Sequence, residues 1–416
     1  MYIIGGYGYS PTAEDHITYP YLTAVNVDGL TKAIISGGKI DSYFCQIHDE
    51  KLAVTGGNLG YLDTTFYLAG GQYFEGSYNP GGPDFGPGFI QKYTDGIRKF
   101  KLKDDGINLI ISDYAEHLDT NNLHRRDLNM APQILPNGDL GYTMFSGVFQ
   151  KHDDVPYLNS VDITSSGYKV NNNFDQYLSH YQSANIPIYD EEHNVMHTVF
   201  FGGISQYTLD SHGHLIDDAS VPFVKTISRV TRFSDGEMEE VKLKIEMPAF
   251  LGSGAEFIAH SDASFLSSGI LKLNDLPKQR TLVGYIYGGI KSTKENIFFN
   301  NDGTQSIANN TIFKVYLNQQ NTNNDLKVKG GNVFQTQIYT NPSDDKIVVD
   351  FFNPDVGPIT ITLSNSNGEI IKEIYQGNID QGKQKKLFEF PVVNAGAYFI
   401  TVSSKINKNI KTIYVE

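Results

Sequence analysis

Five times along the first 330 residues an apolar run ends in a pair of small residues: IIGGYGY at 3–9, FYLAGGQYF at 66–74, MFSGVFQ at 144–150, VFFGGISQY at 199–207 and YIYGGIKS at 285–292. Ser146 replaces the first glycine in the third copy. Downstream of each copy, a β-patterned segment closes on a turn: YLTAVNVDG (21–29), GIRKFKLKDDG (96–106), YLNSVDITSSG (157–167), TISRVTRFSDG (226–236) and TIFKVYLNQQN (311–321). Alternation such as Phe100 with Leu102, or Val161 with Ile163, has the period of a strand with one buried face. Upstream of three copies another short strand begins with small residues and runs into a polar hairpin, in MAPQILPNGDLGY, SANIPIYDEEHNVMH and SGAEFIAHSDASF. The implied unit is strand, hairpin, Gly-Gly strand, long loop, strand, turn and outer strand, recurring every 55 to 85 residues or so, roughly the spacing of propeller blades with loop insertions.

The pattern therefore predicts an all-β chain: a β-propeller of at least five blades over residues 1–330, followed by a smaller domain. A β-sandwich or another propeller subtype is the alternative. The glycines are expected where a Cβ would crowd the neighbouring blade or where φ must be positive. No segment between strands has clean helical periodicity, so a doubly wound α/β fold is not expected. GGYG at 5–8 is no nucleotide loop, because it lacks the full glycine spacing, precedes a Pro-containing loop instead of a helix, and recurs. The repeat resembles the kelch class of propeller, which carries Gly-Gly after an apolar strand. The tryptophan usual late in that repeat is missing from every copy, so the resemblance implies architecture and no function.

After the Asn-rich NQQNTNNDLKVKGGN (318–332), residues 335–416 contain short strands separated by NPSDD, NPDVGP, NSNG, GNIDQGK and NAG. This predicts a small Ig-like antiparallel β-sandwich. Its motifs run in order: Tyr339, Asn341 and Pro342, with Thr340 departing from a Tyr-Pro-Asn-Pro stretch; Asn367 and Gly368 before Ile370 and Ile371; Gly382 and Lys383; Gly396 and Tyr398; and Lys411, Ile413 and Val415. On these residues the segment resembles the type A C-terminal sorting domain that Bacteroidota use for type IX secretion. The resemblance implies recognition by an outer-membrane translocon, a secreted or outer-membrane surface location, and removal of the domain or its exchange for a lipopolysaccharide anchor. An accessory sandwich packed on the propeller is the other reading. Such export needs a signal peptide, and none precedes MYIIGGYG. The expectation is a chain truncated at its N-terminus, with Met1 inside the second strand of a blade.

Charge and chemistry narrow the function. With 47 acidic against 33 basic residues the formal charge is −14, which argues against a nucleic-acid partner. Cys45, the single cysteine, excludes an intramolecular disulfide and a multi-cysteine metal site. No apolar run approaches the roughly 20 residues of a membrane span. The densest polar cluster is LHRRDLNMAPQIL, where His124, Arg125, Arg126 and Asp127 precede a predicted inner strand. Paired arginines there would grip a carboxylate or sulfate, or form an Arg-Asp bridge between blades. His180 and Tyr181 in YLSHYQSANIP, and Glu256 and His260 in GAEFIAH, occupy corresponding stretches and are expected to converge with them on one mouth of the propeller's central channel. His197 reads as structural.

No HExxH, Gly-x-Ser-x-Gly or tandem acidic calcium loop occurs, and DDG (104–106) and NNDG (300–303) read as turns, with surface calcium as the lesser reading. A copper-radical oxidase on a kelch scaffold would need a Tyr-Cys cross-link, whereas Cys45 in SYFCQIH reads as a packed thiol. Neither cofactor nor metal is expected. The leading expectation is a surface or secreted binding protein for a glycan or protein ligand, with aromatic loops such as GGQYFEGSYNPGGPDF. The alternatives are a carbohydrate-active lyase or hydrolase whose acid and base come from different blades, and a structural or adhesive role.

Overall fold

A computed structural model describes the chain except residues 78–87, 152–153, 211–212, 298–302, 320–324, 329–335, 342–345, 354–355, 390–392, 406–407 and 416. The fold is all-β, in two compact units, 1–171 and 172–416. Each recurring segment forms its own antiparallel meander with the Gly-Gly strand inside it.

In the first unit, Tyr2–Ile4, Tyr21–Val25 and Phe44–His48 form the first sheet. Asn58–Leu62, Thr65–Ala69, Gly96–Asp104 and Leu109–Leu118 form the second. Asn129–Ile134, Leu140–Phe145, Ser160–Thr164 and Gly167–Asn171 form the third. In the second unit the fourth sheet is Ala184–Asp190, Val195–Phe201, Thr226–Arg232 and Met238–Glu246. The fifth is Ala255–Ala259, Thr281–Gly288 and Phe313–Leu317. The Asn-rich stretch supplies a short strand, Leu326–Lys327, to the outer edge of the fourth sheet. The meanders have the connectivity of blades, but neither unit by itself closes a ring.

Consecutive sheets are fastened by apolar packing. Leu22 and Ala24 of the first repeat meet Leu68, Phe100 and Leu109 of the second. The opposite face of that second sheet places Tyr67, Ala69 and Ile97 against Met144, Val161 and Ile163 of the third. Both faces being buried explains why FYLA is a continuous apolar run, where a half-exposed strand would alternate. In the second unit, Ile186, Phe201 and Ile227 join Val283 and Ile286 in the same way. Each fully buried Leu, Ile, Val, Phe or Met among them contributes about 1.5–3 kcal/mol on burial.

The Gly-Gly corners tie one repeat to the next. Gly6 N donates to Val54 O, Gly71 N to Arg125 O and Gly203 N to Leu251 O, each at 2.8 Å, and every acceptor precedes the first strand of the following repeat. The close approach leaves no room for a side chain. A Cβ on Gly5 (φ +64°) would lie 2.0 Å from Val54 O, and one on Gly202 (φ +64°) 2.0 Å from Leu251 O. Ser146 holds the corresponding conformation at φ +50°. After the corners the chain makes hairpins, namely Tyr7–Ser10 with Asp15–Thr18, Gln72–Gly76 with Phe89–Tyr93, Tyr207–Leu209 with Leu215–Asp218, and Ile290–Ser292 with Ser306–Ala308.

One element departs from the sequence reading. YLTAVNVDG was expected to remain strand up to its turn, yet the strand stops at Val25 and a ten-residue helix, Val27–Ser36, follows. Val27, Leu30 and Ile34 stand at helical spacing, but only Ala33 is buried and Ile34 and Ile35 are 61% and 82% exposed, so the apolar stripe is short and packs on no core. Its caps fix it locally. The Asn26 side chain accepts from Gly29 N, and Gly37, at φ +68°, ends the helix.

The C-terminal segment folds as two facing sheets. Thr336–Asn341, Lys346–Asn353 and Gly382–Glu389 form one; Ile370–Ile379, Gly357–Asn365, Gly396–Ser403 and Lys408–Val415 form the other. Ile347, Val349, Ile361, Leu363, Ile400 and Val402 fill the space between them. Leu215–Asp218, from the hairpin of the fourth repeat, pairs in parallel with Lys408–Val415 and extends the second sheet.

Candidate functional site

The turn that leads into each first strand is built alike. Thr55 bridges Gln72, Arg126 bridges Val148 and Tyr181 bridges Ile204, each joining the turn to the residue after its own Gly-Gly corner. The next residue takes positive φ: Gly56 (+66°), Asp127 (+50°) and Gln182 (+52°). Within the first unit, Asp127 N donates to Gly56 O at 2.7 Å, which sets the turns of the second and third repeats side by side.

Extended backbone between Leu123 and Asp127 sends successive side chains to opposite sides. Arg125 points inward and is completely buried. Its Nε donates to Asn122 O, Nη1 to the carbonyls of Ser146 and Asn159, and Nη2 to Asn159 Oδ1, while the guanidinium lies 3.9 Å from the centre of the Tyr157 ring. Burial lowers the Arg125 pKa to about 10 and raises the Tyr157 hydroxyl to about 12. A two-arginine clamp for an anion is therefore not formed, because Arg125 is committed to holding the third repeat together.

His124 and Arg126 face the other way and are half-buried, with side chains 19% and 17% exposed. His124 Nδ1 lies 2.5 Å from Asp95 Oδ1, and the imidazole stacks on Tyr93 with ring centres 3.9 Å apart. Arg126 Nε donates to the Tyr93 hydroxyl at 3.3 Å, pairs with Asp127, and lies over the Phe149 ring. The Tyr93 oxygen also accepts from Phe149 N. The group thus combines a positioned imidazole, a guanidinium, two carboxylates and two aromatic rings. Such a set can hydrogen-bond hydroxyls and stack against a sugar face.

Tyr93 and Asp95 escaped the sequence reading. They lie about thirty positions upstream, in the long loop expected between the Gly-Gly strand and GIRKFKLKDDG, and no short motif links them to His124. The positive φ of Asp95 (+54°) suits Asp at a turn and gave no chemical signal.

The other candidates belong to the second unit. Tyr181 corresponds to Arg126 in backbone position, but its side chain is only 8% exposed. Glu256 is exposed on the strand Ala255–Ala259. His260 lies just past the far end of that strand, where its Nδ1 accepts from Asp262 N and its ring is tilted against Tyr285. Glu256 and His260 are separated by the length of a strand. His180 is buried with Nδ1 2.6 Å from Gly202 O, and burial lowers its pKa to about 4. His197 meets Thr231 Oγ1 at 2.9 Å. Cys45 Sγ lies 2.8 Å from Ile107 O. Residues 78–85 of the aromatic loop, and 300–302 of NNDG, lie outside the described residues. Among the described residues no group of His, Cys, Asp and Glu could hold a metal ion, and no helix is long and apolar enough to cross a membrane.

In the C-terminal sandwich, Tyr339 and Asn341 are in its first strand, and Pro342 lies outside the described residues. Gly368, at φ +81°, closes a hairpin in which Asn365 Oδ1 accepts from Asn367 N and Glu369 N. Gly382 and Lys383 open a strand whose first residue pairs with Asn353. Gly396 opens another strand, and the Tyr398 hydroxyl donates to Asn394 O at 2.8 Å. Lys411 is in the last strand.

Residues 337–416 match the model of the secretion system C-terminal sorting domain. No curated protein matches the chain. A solved structure of PorZ, described as an essential bacterial surface component of the type-IX secretion system of Porphyromonas gingivalis, is similar at 9% identity and a TM-score of 0.23, over 99% of this chain and 45% of that one. This chain thus spans less than half the length of that protein. The C-terminal segment is a type IX secretion sorting domain, and it marks the chain as a protein delivered to the cell surface or the medium.

Proposed function

We propose that the repeats over residues 1–330 form a kelch-like propeller, and that this surface or secreted protein binds a glycan through the loops around Tyr93, His124 and Arg126. The observation that carries the reading is the half-buried cluster of aromatic rings and hydrogen-bonding side chains on adjoining turns. Loops held by a rigid sheet scaffold are where binding groups concentrate. Asp95 and Asp127 offset the charge of Arg126, so a neutral, hydroxyl-rich saccharide suits the cluster better than a polyanion.

Titration calorimetry of the full chain against a panel of neutral and anionic polysaccharides tests this. Binding of a neutral glycan that weakens at least tenfold in both Tyr93→Leu and His124→Ala supports it. Binding untouched by either change, or binding only to a protein partner, overturns it.

A second reading rests on the short Asp95–His124 contact, which orients an imidazole as a general base would need. Release of reducing ends or unsaturated sugars that is lost in His124→Ala would favour the enzyme.

A further inference from the structure

The strand Lys408–Val415 closes one side of the larger sheet of the sorting domain, and its outer edge is occupied by Leu215–Asp218 from the repeat body. Ile216, Asp217 and Asp218 pair in parallel with Lys408, Asn409 and Ile410, and Ala219 N donates to Ile410 O at 3.0 Å. The backbone pairing is reinforced by side chains. Asp217 Oδ2 accepts from Asn409 Nδ2 at 2.7 Å, and Asp217 Oδ1 accepts from Gln206 Nε2 at 2.8 Å. Ser220 Oγ and Thr412 Oγ1 are 3.1 Å apart. Asp217 is 5% and Asn409 1% exposed, so this is a built, water-excluded contact. The charges match: Lys411 acts on Asp217 and Lys408 on Asp218 across the same seam.

We propose that the body masks its own sorting signal, with Leu215–Asp218 acting as a latch over the edge of the terminal strand. An open strand edge presents unpaired amides and carbonyls to any passing chain. Here that edge is already paired, so a partner that reads the terminal strand by adding its own strand must first displace the hairpin. Among the described residues Asn409 Oδ1 is buried without a hydrogen-bond partner, which leaves the seam short of its full strength and suits a contact that opens. Among the described residues the strand Ile370–Ile379 pairs only with Gly357–Asn365, and Ile370 is 68% exposed, so its other edge stays available while the latch is shut. The proposal rests on the delivery role of the sorting domain, and its test does not depend on export.

Hydrogen exchange of the full chain reads the latch directly. Asn409→Asp sets a second carboxylate against Asp217 and should speed exchange at least tenfold in both 215–218 and 408–411, while 398–402 stays protected. If 215–218 is unaffected, the latch is refuted. Should 398–402 lose protection as well, the variant has opened the sandwich, and a second variant decides. Ser220→Cys with Thr412→Cys, in a Cys45→Ala background, should cross-link on mild oxidation and slow exchange at 215–218. Failure to cross-link in a folded chain overturns the proposal. Export of the chain placed behind a cleavable signal peptide, in a host with type IX secretion, separates the two ideas: if it is retained in the periplasm, the delivery reading fails while the exchange result stands.

Discussion

Glu240 offers a quantitative test of the packing in the fourth repeat. It lies on the outer strand at 2% exposure, with Oε2 accepting from Leu178 N at 3.1 Å and Oε1 at 3.5 Å from Ser228 Oγ. Burial pushes its pKa to about 8 despite hydrogen bonds that favour the charged form. In the unfolded chain the group titrates near 4.5. Between these values the folded protein holds a proton that the unfolded chain has released, so stability falls as pH rises. The slope is about 1.4 kcal/mol per pH unit, and the full window amounts to roughly 5 kcal/mol as a ceiling. Glu240→Gln keeps an acceptor for the Leu178 amide and removes the titration. The assay is hydrogen exchange of the strands 226–232 and 238–246, corrected for intrinsic rates, which isolates this repeat in a chain too large for two-state unfolding. At pH 5 the variant should lie within about 1 kcal/mol of wild type, the usual spread for a satisfied polar swap. By pH 9 it should be the better protected by several times that amount. Parallel pH dependences in the two proteins would refute the assignment of a neutral, buried acid.

Two further changes probe the joints between and within repeats. Gly202→Ala places a Cβ 2.0 Å from Leu251 O at φ +64° and strains the Gly203–Leu251 hydrogen bond; it should cost about 2–4 kcal/mol. Hydrogen exchange of the strand Val195–Phe201 measures this against Gly357→Ala, where the added methyl meets nothing within 4 Å. Arg125→Lys retains the charge but cannot reproduce the fork to Ser146 and Asn159 or the stacking on Tyr157, so it should destabilise the first unit by about 2–4 kcal/mol. Exchange protection of 129–134 and 140–145 reports it, and a loss below about 1 kcal/mol would contradict the role assigned to this side chain.

The parts of the fold legible in the sequence were those set by local rules. The corner recurs because each copy needs positive φ at its first position, and at Gly5 and Gly202 a carbonyl also leaves no space for Cβ, so the chemistry repeats where the geometry does. The turns of the sorting domain are readable for a related reason, since Gly368 and the Asn365 side chain close their hairpin without help from distant residues. The helix Val27–Ser36 and the pairing of Leu326–Lys327 with the fourth repeat were hidden. The first has caps but no buried stripe, and the second follows from which edge is open, a property of the assembled sheet.

The site was legible only in its anchor. LHRRD singled out this turn, but sequence treats Arg125 and Arg126 as equals, whereas the structure gives them opposite environments. Alternation along extended backbone decides between them: Leu123 and Arg125 are buried, and His124 and Arg126 emerge half-exposed. Applied to the sequence, the same alternation would have turned Arg125 toward the core once Leu123 was assigned there. Tyr93 and Asp95 could not be found in that way, because they reach His124 through the neighbouring repeat. Any function that depends on this group therefore depends on the seam between the second and third sheets, where Asp127 N meets Gly56 O and Gly71 N meets Arg125 O. Packing and chemistry meet in one dipeptide, with Arg125 securing the turn from which Arg126 is presented.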